Sequence, residues 1–499
     1  MSRERLTYRF GPVEQRGLFG PIGAAQIAVM AFGAVGAIAI IDLAPSAAGA
    51  LAAVVFVLTT AALAFAPLGR QTIAQWAPVC VSFAIRRITG RGRSRSEAPS
   101  RGVPAHLPRD AFGARLGAVG PDPPASLCGV RIVELDYRDR KIGALSELRG
   151  RRLTAALACR VVSFSLLDPD AQERRLSRWG LVLSGAAGTS VRRIQWIERT
   201  APAQGDQLAR WLHEERDPAI PLRGTPMIES YLELIGTTAT VTQEHEILVA
   251  VQVDGRRVRE RGPDGVVRAL LEQTERIAVG LEAAEVTVLG ALGAGQLART
   301  LRTAFDPYAR AELAGLEAAD PERTGLAEAG AWPLGTDDGW ERYRSDGALH
   351  STYWIGAWPR IDVSPMFMDA LLGRSSVVRT VAVTFEPLAA ERSTREAEAA
   401  VTRDRADREL RARFGQSETA RQRQAQEATL RREAELAAGH AEVRLAGFVT
   451  VSGRDPEELR RACAEVGEHA ARARLELHRM YGQQADAFTF TLPLCRGLR

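Results

Sequence analysis

The chain reads as an α+β protein behind an N-terminal two-helix transmembrane hairpin, and three observations predict this. Two apolar stretches, residues 21–41 and 44–68, stand back to back near the start. Most of the remaining chain alternates short β-branched runs with segments of helical spacing. Residues 388–437 are almost entirely Ala, Arg, Glu, Gln and Asp, the composition of solvated helices.

Each apolar stretch suffices to cross a hydrocarbon core of about 30 Å, which takes roughly 20 residues at 1.5 Å rise. The break between them holds Asp42, Pro45 and Ser46, which suit a tight turn with Asp42 in the headgroup layer rather than in a proton relay. Arg3, Arg5, Arg9 and Arg16 precede the first stretch, and Arg70, Arg86, Arg87, Arg91, Arg93 and Arg95 follow the second, while the turn has no basic residue. This asymmetry predicts a multi-pass protein of the inner membrane with both termini cytoplasmic. A cleavable signal peptide is the competing reading. The first stretch is longer than a usual h-region, and a second span follows at once.

Residues 71–89 read as an interfacial helix. Gln71, Gln75, Ser82, Arg86 and Thr89 fall on one side, and Ile73, Trp76, Ala77, Cys80, Ala84 and Ile88 on the other. Pro78 is expected to kink or split it, and packing of the helix on the soluble domain is the alternative. Residues 91–128, rich in Arg, Ser, Pro and Gly, read as a flexible linker.

The first cytoplasmic α+β domain covers 129–305. Strands are expected at 130–139, 152–167, 191–198, 246–253 and 286–289, and helices at 169–183, 206–215, 226–234, 265–284 and 297–305. The pattern predicts a split βαβ, ferredoxin-like arrangement. A Pro/Gly/acid-rich linker, 306–345, leads into the second α+β domain, 346–499. Here strands at 350–358 and 377–385 flank a helix at 367–372. A protruding antiparallel helical hairpin, 388–437, turns at Gly415 (the C′ position) and Ser417 (the N-cap). A strand at 443–451, a helix at 455–475 and a final strand at 487–492 close the chain.

Composition narrows the function. The chain has 499 residues, 25% charged and 46% hydrophobic, as in ordinary globular proteins, with a formal net charge of +5. Much of the excess flanks the apolar stretches, which favours contact with anionic headgroups; nucleic acid is not directly indicated. Lys141 is the sole lysine, as arginine-biased codon usage produces, and its surroundings exclude a P-loop. Cys80, Cys128, Cys159, Cys463 and Cys495 are odd in number and scattered, as reduced thiols are. The glycines of 290–295 follow a strand and precede a helix, but their spacing is not that of a dinucleotide loop. His440, His469 and His478 have no partner at metal-ligand spacing. No catalytic, cofactor-binding or metal residue is therefore assigned. The enzymatic alternative is a membrane-tethered site assembled from dispersed residues such as Glu244, His245 and His350. Neighbouring strand residues point to opposite faces, so Glu244, His245 and Glu246 do not converge by themselves.

Several motifs occur together: Gly69-Arg70 leading into Gln75-Trp76-Ala77-Pro78-Val79, Arg174-Arg175-Leu176 with Arg178-Trp179-Gly180, and Gln195-Trp196-Ile197-Glu198-Arg199-Thr200. They continue with Ser230-Tyr231-Leu232-Glu233-Leu234, Thr352-Tyr353-Trp354-Ile355, Trp358-Pro359-Arg360, Gly439-His440-Ala441-Glu442 and Thr491-Leu492-Pro493-Leu494. Over nearly its full length the chain resembles actinobacterial membrane proteins encoded with conjugation and type IV secretion genes. In architecture these look like a VirB-type two-span subunit fused to the non-catalytic N-terminal half of the VirB-type ATPase. The layout also resembles the EccE family of type VII secretion. The resemblance implies a non-enzymatic platform without cofactor, a separate secretion ATPase and other channel subunits as partners, and homo-oligomeric assembly in the bilayer.

Overall fold

Runs rich in Ala, Val, Ile, Leu and Gly form α1 (Ala24–Leu43), whose only charged residue is Asp42 in its last turn, and α2 (Ala47–Phe65), which has none. They belong to a computed structural model that describes residues 24–68, 71–95, 123–138, 140–161, 164–202, 226–227, 230, 243–260, 262–310, 313, 328–359, 361, 363–373, 375, 377–413, 420–437 and 441–498. The described chain divides into a small unit, residues 24–92 with Tyr481–Gln483, and a large one, residues 93–480 with 484–498. Several expectations lie outside the described residues: the arginines before α1, most of the first linker, the helices at 206–215 and 226–234, the Gly415–Ser417 turn and His440.

In the small unit, Ser46 caps α2 by accepting from Gly49 N at 3.2 Å. Gln26 Nε2 donates to Ala64 O at 3.3 Å. A Cβ at Gly33 would meet Thr60, and one at Gly36 would meet Phe56, each within 2.3 Å. These contacts descend along α2 as they ascend α1, so the helices pack antiparallel through small residues, the arrangement that lets backbones approach closely. Both helices are long and apolar enough to cross a membrane. Phe32, Val35, Ile38, Leu51, Val54 and Leu58 are exposed on them. A two-residue ladder of β1 (Pro67–Leu68) and β2 (Gln71–Thr72) leads into α3 (Ile73–Ile88). Gln75 Oε1 accepts from Thr72 N at 3.0 Å at its start. Pro78 costs this helix one backbone bond without splitting it.

The large unit carries β3 (Arg93–Arg95), β4 (Arg131–Tyr137), β5 (Arg140–Glu147), β6 (Arg152–Arg160), α4 (Pro169–Gly185), β7 (Val191–Pro202), β8 (Gln243–Asp254), α5 (Pro263–Ala283), β9 (Thr287–Ala291) and α6 (Ala294–Phe305). It continues with β10 (Gly335–Asp338), β11 (Tyr343–Ser345), β12 (Ala348–Ala357), α7 (Asp369–Leu372), β13 (Val378–Pro387), α8 (Ala390–Arg413), α9 (Ala420–Ala437), β14 (Val443–Gly453), α10 (Pro456–Arg472), β15 (Glu476–Arg479) and α11 (Gln484–Phe488). Among the described residues the thirteen strands of this unit join one antiparallel sheet, ordered β3-β10-β11-β12-β14-β13-β7-β8-β6-β5-β4, with β15 on β12 and β9 on β6. The chain therefore repeats itself. Three strands, a helix, two strands, a helix, a strand and a helix occur twice, the second time with α8 and α9 inserted between the two strands, and the ladders β9-β6-β8-β7 and β15-β12-β14-β13 have the same order. The halves meet where β7 pairs β13, from Thr200↔Arg379 to Ile194↔Phe385.

Strand alternation places two cores on one face of the sheet. Leu183, Ile277 and Leu281 of α4 and α5 pack on Leu157, Val249 and Val251. Leu371 of α7 and Leu459 and Val466 of α10 pack on Val381, Val449 and Val451. A third core on the opposite face spans both halves and gathers Ala156, Ile197, Leu248 and Ala382 with Leu297, Leu301 and Phe305 of α6 and Phe488, Leu492 and Leu494 of the C-terminal segment. The helices α8 and α9 pack against each other. Ser393, Ala397, Ala400 and Val401 of α8 are buried, and Glu396 pairs with Arg444 of β14.

Three expectations change. Both stretches read as linkers contain strands: β3 in the first, β10 and β11 in the second. The strand expected at 130–139 forms as β4, but a further strand, β5, follows it as a hairpin, and the strand expected at 152–167 ends at Arg160. Residues 487–492, although alternating, are no strand. Thr489 and Thr491 bond back to Asp486 O and Phe488 O at 2.7 and 2.9 Å, and Asp338 Oδ1 accepts from Ala485 N at 3.0 Å, so side chains satisfy the backbone locally.

Two tests follow from this packing. Gly36→Leu is expected to force α1 from α2 and to destabilise the helix pair by about 1–3 kcal/mol, the usual cost of overpacking, read as a lower unfolding temperature in detergent. Arg193 and Glu386 form a buried pair at 3.2 Å. Arg193→Ala leaves the buried Glu386 with Arg257 alone, at 3.5 Å, and should cost up to about 3 kcal/mol, measured by denaturant unfolding with Lys141→Ala of the exposed Lys141–Glu134 pair as the control.

Candidate functional site

The three residues weighed for a dispersed enzyme site do not come together. His350 lies on β12, and Glu244 and His245 lie on β8. Four strand spacings separate β12 from β8, about 19 Å at 4.8 Å each.

His350 is fully buried. Its Nε2 lies 3.0 Å from Phe305 O and 2.8 Å from Ser345 Oγ, and its Nδ1 lies 2.8 Å from Ser452 Oγ. A carbonyl only accepts, so Nε2 carries the proton and Nδ1 accepts from the serine. Burial pushes the imidazole down from 6.5 to about 4, partly opposed by the Phe305 carbonyl. The residue is a neutral buried connector, unable to reach a substrate.

His245 has a partner that spacing in the sequence does not reveal. The β7–β8 register sets Thr200 opposite His245 and Glu198 opposite Ile247, so Glu198 and His245 share a face, and Glu198 Oε1 lies 3.0 Å from His245 Nδ1. Beyond Thr200 on that face lies Arg379, buried, donating to Gly373 O at 2.7 Å. Burial lowers its basicity, while Glu198 and Glu465 raise it. On the opposite face Glu246 meets Arg199 at 3.3 Å. The pair Glu198–His245 can orient an imidazole, but no described serine or cysteine stands within bonding distance of its Nε2 to complete a nucleophilic triad.

A cleft of about 360 Å³ opens where the β10–β11 hairpin meets the start of α10, lined by Asp337, Arg342, Arg344, Asp346, Arg454 and Asp455 among others. Its carboxylates already have structural work. Asp337 pairs with Arg93 at 3.3 Å, Asp346 with Arg302, and Asp455 caps α10 by accepting from Glu457 N and Glu458 N at 2.8 and 2.9 Å. Among the described residues no histidine, cysteine or serine lines it. Burial pushes the Cys159 thiol up to about 11 and the Cys495 thiol higher still, so both stay protonated and unreactive. Among the described residues no three His, Cys, Asp or Glu side chains gather to hold a metal ion. The glycine loop joins β9 to α6, with Gly143 so close that a Cβ there would meet Ala294 N at 2.6 Å. Strand β5 thus occupies the approach that a phosphate would need.

The polar side chains instead hold the C-terminal segment across the sheet. Gln195 Nε2 donates to Phe490 O at 2.7 Å, and its Oε1 accepts from Cys495 N at 2.8 Å. Gln252 Nε2 donates to Leu494 O at 3.0 Å, Arg193 Nη2 to Leu498 O at 2.7 Å, and Thr384 Oγ1 to Arg496 O at 3.1 Å. These donors come from β7, β8 and β13, on both sides of the central join.

No family model matches the chain, and no curated protein matches it.

The His350 environment makes stability depend on pH. The folded state keeps the ring neutral where the unfolded chain takes up a proton near 6.5. Its contribution is therefore complete above that pH and fades as pH falls toward about 4. The loss is expected to reach roughly 3 kcal/mol, and His350→Gln should flatten this part of the curve in unfolding measured between pH 7 and 4.

Proposed function

We propose that this chain is a non-catalytic membrane component of a bacterial secretion or conjugation machine, which anchors a separate ATPase at the cytoplasmic face and couples it to the channel. The observation that carries this reading is the pairing of two exposed apolar helices with a large sheet unit in which buried ionisable groups such as Arg193, Arg199, Arg379 and Glu386 are bonded internally. Such a body resists deformation and holds position, which suits a platform.

The two halves are ferredoxin-like in this reading. Each runs β-α-β-β-α-β through the sheet order fourth, first, third, second strand, the split βαβ signature. Each also has a long connection between its second and third strands, 203–242 in one half and 388–442 in the other. Because β7 and β13 are antiparallel neighbours, the two connections leave at opposite ends of the sheet. The second connection is the antiparallel arm formed by α8 and α9, and its role here is to dock the ATPase or neighbouring copies. The motifs around Trp76, Trp179, Trp196 and Trp354 support a type IV or conjugation assignment, and the layout supports an EccE-like place in a type VII system.

Gentle detergent affinity purification from the native host, followed by mass spectrometry, tests the assignment. A conjugation-type ATPase with channel subunits is expected, and type VII core components would move the assignment to the EccE-like reading. Recovery of neither overturns it. Replacing residues 403–427 by a short turn spares the buried Ser393, Ala397 and Ala400. That variant should leave the unfolding temperature within a few degrees and abolish ATPase recovery.

A further inference from the structure

The outward face of α3 is apolar. Ala77, Cys80, Val81, Ala84, Ile85 and Ile88 are exposed, Ile88 at 85%. At about 100° per residue they share one side of the helix. Trp76, Val79, Ser82, Phe83 and Arg86 on the other side are half-buried. A helix that covers a water-soluble core turns its apolar side inward, because burial of that side is what drives its docking. Here the apolar side faces out, as it does on α1 and α2.

The backbone sets where this face lies. Ile73 N donates to Ala66 O at 3.2 Å, and Pro67 pairs with Thr72 across the β1–β2 turn, so α3 starts level with the end of α2. It packs on both α1 and α2. If α2 spans a bilayer, the first turn of α3 stands at the headgroup boundary. The charge pattern matches that boundary. Arg86 and Arg87 occupy the last turn of α3, Arg91 follows, and no acidic residue occurs between Asp42 and Glu97.

Resting on the membrane reading of α1 and α2, we infer that α3 lies along the bilayer surface as a third, non-spanning contact. The face from Ala77 to Ile88 sits among the upper acyl chains, and Arg87 and Arg91 meet the phosphates of anionic lipids. The occupant of the apolar face is thus lipid. An amphipathic helix of this kind binds through buried apolar area plus attraction to acidic headgroups.

Cys80, in the middle of the outward face, is a built-in probe, and Cys128 is the other exposed cysteine. The full-length chain is spin-labelled at Cys80 in a Cys128→Ser background and reconstituted in vesicles of phosphatidylcholine and phosphatidylglycerol. Collisions with lipid-soluble oxygen and with a water-soluble nickel chelate are then compared. The oxygen-to-nickel ratio is expected to be several-fold higher for Cys80 than for a label on Cys128 in a Cys80→Ser background. It should fall when phosphatidylcholine replaces the phosphatidylglycerol. A Cys80 label open to nickel overturns the inference, and so does one shielded from both reagents, since a partner or second copy then covers the face. A label at Val54→Cys on α2 separates the two readings. Lipid exposure there with water exposure at Cys80 removes only the role of α3, whereas water exposure at both removes the membrane anchor as well.

Discussion

The ladder between β7 and β13 is the constraint on which the large unit depends. It joins the second strand of one half to the second strand of the other, an antiparallel pairing between equivalent elements of the kind a two-fold axis generates. Each of these strands would otherwise be an open edge with a row of unpaired backbone groups. Joined, they become the middle of one sheet, and the core gathered by Ile197, Leu248 and Ala382 runs uninterrupted beneath α6 and the C-terminal segment. The last residues of the chain then bind both halves. Arg193, Gln195 and Gln252 reach them from one side of the join and Thr384 from the other.

This economy of polar groups bears on function. A buried donor or acceptor is costly unless bonded, so side chains that look chemically able in a sequence are often committed inside a fold. His350 holds Phe305 and Ser452, and Asp346 and Asp455 hold an arginine and a helix start. Glu198 and His245 come nearest to an arranged pair, and they stand at 3.0 Å without a nucleophile. The large unit bonds its buried polar groups within itself, while the small unit shows apolar surface outward.

Much of this was legible in the residues. The two apolar stretches, the helical spacing of Leu176, Trp179 and Leu183, the alternation of Ile247, Val249, Val251 and Val253, and the Asp455-Pro456 start of α10 are local signals, and each formed the expected element. The strands β3, β10 and β11 were not legible, because they are short and polar and take strand form only through partners distant in the chain. The final segment was misread for the opposite reason. Its alternation imitates a strand, but Thr489 and Thr491 satisfy their own backbone.

The amino-acid sequence alone determined the α+β class and the two apolar helices, since periodicity and composition act over a few turns of chain. Only the tertiary structure decided that the two halves repeat one another, that they share a sheet, and that Glu198 meets His245 across a strand. Those facts are matters of register. Register is set by which buried faces can pack together, an energy that no single stretch of residues contains.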